Sequence, residues 1–138
     1  MGVKTWLVPI EEMIALAAYV AERSRFDGAE IAHLIRSAKG KIDWDRVLEL
    51  LGEDHQLLLW HLIFFDFVYP GRSKYLPQEL MIQLFEEMRQ RWSNPSRDIK
   101  AFRGTILDPF SFTVDVEDWG YEDQRIIDPL VDRKGERI

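Results

Sequence analysis

Residues 54–68, Asp-His-Gln-Leu-Leu-Leu-Trp-His-Leu-Ile-Phe-Phe-Asp-Phe-Val, constrain the fold more than any other stretch. Leu57, Leu58, Leu59, Trp60, Leu62, Ile63, Phe64, Phe65, Phe67 and Val68 would place an apolar side chain on nearly every face of a helix. A helix of that kind is expected to be surrounded by others. The run is interrupted by His61 and Asp66, and it falls far short of the roughly 20 residues that cross a bilayer. It therefore reads as the central helix of a folded domain, broken at Tyr69-Pro70-Gly71.

The flanking segments supply its neighbours. From Ile10 to about Ser24, Met13, Ile14, Ala17, Ala18 and Val20 or Ala21 recur at helical spacing, with Glu11 and Glu12 in the first turn to complement the helix dipole. Asp27 is placed to cap a second helix, with Glu30 completing a capping box, Ile31, Leu34 and Ile35 forming the stripe, and Gly40 ending it. Asp43 caps a short third helix bearing Val47, Leu48, Leu50 and Leu51, which Gly52 terminates. Pro77 fits the first turn of a further helix with the stripe Leu80, Met81, Leu84, Phe85 and Met88, stopped by Ser93-Asn94-Pro95-Ser96.

Both ends read differently. Val3 to Val8 is β-prone and stops at Pro9, so residues 1–9 are expected as a remnant strand. Asp108-Pro109 is a cap and first-turn pair for a helix towards Trp119, although Phe112, Val114 and Val116 alternate with polar residues as a strand would; the helix is the reading adopted. Residues 125–138 are expected to be an irregular tail. The expected fold is mainly α, a single compact multi-helix domain over residues 1–138 with a short β-prone N-terminal segment and an irregular C-terminal third.

Length and charge narrow the function. A chain of 138 residues suits one domain with one substantial core. With 24 acidic against 18 basic residues it lacks the electrostatic footprint of a general nucleic-acid binder, and no nucleic-acid partner is expected. The absence of cysteine removes disulfides, thiolate metal sites and a thiol nucleophile, and accords with a cytoplasmic location. No charged and then apolar leader opens the chain, so neither secretion nor a membrane partner is expected.

Three motifs in order carry a family resemblance: Pro9-x-Glu11-Glu12-Met13-Ile14, then Glu22-Arg23-x-Arg25-Phe26-Asp27-Gly28-Ala29, then His33-Leu34-x-Arg36. Asp43-Trp44-Asp45, Phe67-Val68-Tyr69-Pro70, Arg103-Gly104-Thr105 and Trp119-Gly120-Tyr121 extend it over nearly the whole chain. The pattern resembles the C-terminal helical region of bacterial nucleotidyltransferase-like proteins, which follows a catalytic domain that this chain does not contain. The resemblance implies a non-catalytic accessory domain. The family's first helix carries a lysine in a Trp-Ser-Lys-Ala-Phe arrangement able to meet nucleotide phosphates; here Ala15-Leu16-Ala17-Ala18-Tyr19 puts Ala17 at that position. No cofactor is expected.

Candidate chemistry is sparse. Arg23, Arg25, Asp27 and Arg36 form the best polar constellation, for surface pairing or for anchoring a catalytic domain or a phosphate-bearing ligand. The apolar run Trp6-Leu7-Val8 is the candidate interface, for a homodimer or a separately encoded catalytic subunit. Catalysis by the superfamily needs a Gly-Ser turn followed by Asp-x-Asp on a strand. Asp43-Trp44-Asp45 opens a helix instead, and Gly104-Thr105 followed by Asp115 and Glu117 matches only if residues 109–119 are a strand whose carboxylates share one face. His33, His55 and His61 lack the spacing of helical metal sites. The expected function is thus accessory, the alternative a free-standing interaction or dimerisation module, and the remote third a self-contained metal-dependent nucleotidyltransferase.

Overall fold

The computed structural model describes residues 8–22 and 24–123. They are mainly helical: α1 Ile10–Ala17, α2 Gly28–Ser37, α3 Trp44–Leu51, α4 His55–Val68, a 3₁₀ segment Pro70–Tyr75, α5 Gln78–Ser93, α6 Gly104–Leu107 and α7 Thr113–Glu117. The chain divides into two compact units, residues 1–96 and 97–138. Of the β-prone segment, residues 1–7 lie outside the described residues, and Val8 and Pro9 form no strand. The tail 125–138 also lies outside them. No described helix is long and apolar enough to cross a membrane.

In the first unit α1 packs on α2 and α3, and α4 packs on α2, α3 and α5. Ile14, Ile31, Ile35, Val47, Leu58, Leu62 and Phe65 are fully buried at the centre. The Asp43 cap forms as its sequence predicts, its carboxylate accepting the Arg46 N–H at 3.1 Å. Arg46 then bridges to Glu12 and Glu49, both at 3.2 Å, tying α3 to α1.

Two local expectations need correction. Spacing carries α1 to about Ser24, yet it ends at Ala17. Tertiary contacts override the propensity: the Ala18 carbonyl lies 3.4 Å from His61 Nε2, Tyr19 donates to Asp54, and a tight turn closes with an Ala21–Phe26 bridge. Asp27 stands at the N-cap of α2 but its carboxylate makes no capping bond, because Arg25 holds both oxygens at 3.0 and 3.1 Å.

The second unit is built around an aspartate-capped turn. Buried Asp108 accepts the N–H groups of Phe110 and Ser111 at 3.1 and 2.9 Å, and the chain then enters α7. Residues 113–117 are therefore helix, as adopted, although α7 is shorter than the stretch to Trp119. A Cβ at Gly104 would fall 2.6 Å from the Phe112 ring and 2.8 Å from that of Phe102, so glycine is required where these aromatics close over the backbone.

Candidate interaction surface

Helix α4 departs from the expectation of a helix surrounded on every face. Its apolar residues do not all go inside. Leu58, Leu59, His61, Leu62 and Phe65 face the core, whereas Trp60, Ile63 and Phe67, spaced three and four apart, face outward. Phe67 is 84% exposed.

Helix α5 shows the same two-sidedness. Leu80 and Leu84 are buried against the core while Ile82, Phe85 and Trp92 are exposed, Trp92 to 75%. Ile63 meets Met81 and Phe85 across a groove of about 570 Å³ between the helices, floored by Leu76 and edged by Asp66, Ser73, Lys74 and Gln78. Of the two outward stripes, Ile63 and Phe85 share this groove. Elsewhere on α4, Phe26 stacks on Trp60 at 5.6 Å and meets Phe64 edge-on at 5.5 Å. A Cβ at Gly28 would fall 2.3 Å from the Phe26 ring. This gives the Phe26-Asp27-Gly28 motif a packing role: glycine leaves room for the aromatic that joins the α1–α2 turn to α4.

The polar constellation does not converge. Arg25 pairs with Asp27 at the start of α2, and Arg36 sits in its last turn over the Tyr69 ring at 5.9 Å. Nine residues of helix separate Asp27 from Arg36 by roughly 13 Å. Arg23 lies outside the described residues. For the interface run, so do Trp6 and Leu7, while Val8 is exposed.

Asp115 and Glu117 lie within α7, so the strand that would have placed both on one face is absent there. Two residues apart on a helix they point roughly 200° apart. Among the described residues no group of three or more His, Asp or Glu side chains is placed to hold a metal ion.

A second, polar cleft of about 490 Å³ lies between Gly52, Glu53, His55, Glu87, Gln90, Arg91 and Asn94. Its groups bind each other: His55 Nδ1 lies 2.9 Å from Glu87, His55 Nε2 lies 3.3 Å from the Leu48 carbonyl, and Arg91 donates to the Glu53 carbonyl at 3.0 Å. This network staples α3, α4 and α5 together.

His61 is 1% exposed, and among the described residues its Nδ1 has no hydrogen-bond partner. Burial pushes its pKa below the ordinary value, partly opposed by the bond to the Ala18 carbonyl. The neutral ring then donates from Nε2. Because the folded value is depressed, this residue's contribution is complete above the unfolded pKa of about 6.5 and is lost as pH falls through the folded value. Denaturant titrations at pH 7.5 and 5.0 should show wild type losing more stability on acidification than His61→Leu. Equal losses would show that His61 does not carry this linkage.

Compared with known proteins, the chain matches no family model, no curated protein and no solved structure.

Proposed function

We propose that this chain is a helical interaction domain without chemistry of its own, docking protein through the α4–α5 face. The observation that carries this reading is the paired outward stripes, Trp60, Ile63 and Phe67 beside Ile82, Phe85 and Trp92, in a domain whose core is already filled by the opposite faces of the same helices. Exposed apolar side chains are ordinary when scattered and meaningful when they gather along a groove. Grooves between helices receive apolar helical anchors in known recognition modes.

The motifs at residues 9–36 favour a more specific form of the same reading: an accessory domain of a nucleotidyltransferase-like protein, acting in the cytoplasm, with catalysis supplied by another segment or chain. The separated Arg25–Asp27 pair and Arg36 support packing over phosphate binding, as does Ala17 at the position of the family's lysine.

A photo-crosslinking amino acid at Phe67 or Ile82 should give protein adducts in the producing cell, and the same group at His33 or Glu49 should not. Adducts from neither face position would overturn the docking reading. Calorimetric titration with ATP, GTP, CTP and UTP plus magnesium should show no binding. Tight binding abolished by Asp115→Ala and Glu117→Ala would favour the self-contained enzyme instead.

A further inference from the structure

We infer that the occupant of the α4–α5 face is a second copy of this chain, so that two such faces close on each other in an isologous dimer. This rests on reading the face as a docking surface, and it identifies the partner.

The first argument is area. Phe67 and Trp92 are 84% and 75% exposed, and Trp60, Ile63, Ile82 and Phe85 lie between 41% and 59%. At roughly 200 Å² for each fully exposed large side chain, they present roughly 700 Å² of apolar surface. That approaches the roughly 800 Å² that each partner contributes to a stable interface of standard size.

The second argument is charge. The chain carries a net charge of −6, which opposes self-association unless the contact surface is itself balanced. The groove's lining is balanced: Asp66 and Lys74 contribute one charge of each sign, and on α5 Arg89 pairs with Glu86 at 2.6 Å. An identical groove therefore brings no excess of either sign to the contact.

The third argument is form. Two neighbouring helices with outward stripes can pack on their own copy to give a layer of four helices, with the ridges of one pair entering the groove of the other. A two-fold axis through the groove uses the same residues twice, as isologous contacts do.

Sedimentation equilibrium on the full chain from about 1 μM to about 1 mM should show a dimer. Phe67→Asp with Phe85→Asp should weaken self-association by at least about a hundredfold, because each dimer would bury unpaired carboxylates. Far-UV circular dichroism and the denaturation midpoint of the dilute protein report whether that variant folds; Ile82→Lys is the second variant if it does not. Trp6→Lys with Val8→Lys should leave the dimer in place. A monomeric wild type over this range, or a dimer that survives both folded face variants, overturns the inference. If the monomer still forms adducts with a different protein from Phe67 and Ile82, the docking reading stands and only the identity of the partner falls.

Discussion

Phe65→Ala is expected to destabilise the first unit by about 3–5 kcal/mol, while Phe67→Ala, two residues along the same helix, should change dilute-protein stability by no more than about 0.5 kcal/mol. Phe65 is fully buried and its ring lies 5.3 Å from Tyr69; Phe67 is almost free of the core. The larger loss is a substantial part of the roughly 5–15 kcal/mol that holds a domain folded. Urea denaturation at sub-micromolar concentration separates the two variants. Raising the protein concentration should then make Phe67→Ala costly relative to wild type, because a dimer stabilises the folded state by mass action. Equal losses at dilution would mean that the outward stripe of α4 is buried and that the face has been misassigned.

This contrast also shows how much was legible in the residues. Helix positions followed from periodicity and punctuation: Asp43 caps α3, Gly52 follows its end, Pro77 precedes α5, and Gly40 follows α2. The failures were tertiary. Residues 18–24 have helical spacing, but Tyr19 and the Ala18 carbonyl are engaged by α4 and by the residue preceding it, contacts that no local pattern encodes. An all-apolar α4 reads as surrounded because composition does not say which neighbours exist. A helix packed on α2, α3 and α5 with one face left open has the same letters. The signal that could have located the outward face was Ile82, Phe85 and Trp92 on α5, spaced three and seven apart, apolar residues beyond those that the core-facing Leu80 and Leu84 require. Within the arginine constellation, closeness in sequence around a turn places Arg25 with Asp27 and leaves Arg36 at the far end of α2.

Gly40→Ala should be comparably damaging, by about 3–5 kcal/mol, although it adds a single methyl group. Two costs fall on the same atom. Gly40 has φ +74°, where an L side chain meets backbone strain, and its added Cβ would lie 2.1 Å from the Tyr75 carbonyl oxygen and under 3 Å from the Tyr75 carbonyl carbon and Cα. Those are backbone atoms at the end of the 3₁₀ segment, so no rotamer change relieves the collision. Gly52 provides the control: with φ +59° and nothing among the described residues within 4 Å of its added Cβ, Gly52→Ala should cost only the strain, about 1–3 kcal/mol. Denaturation of the two variants side by side tests the difference, and equal losses would show that close approach to Tyr75 contributes nothing. The contact bears on the docking face as well, because Tyr75 immediately precedes Leu76, the floor of the α4–α5 groove, and the 3₁₀ segment supplies Ser73 and Lys74 at its edge. Displacing that segment should therefore weaken self-association at concentrations where the chain remains folded, whereas Gly52→Ala, away from the groove, should lower stability and leave the dimer of the folded protein intact.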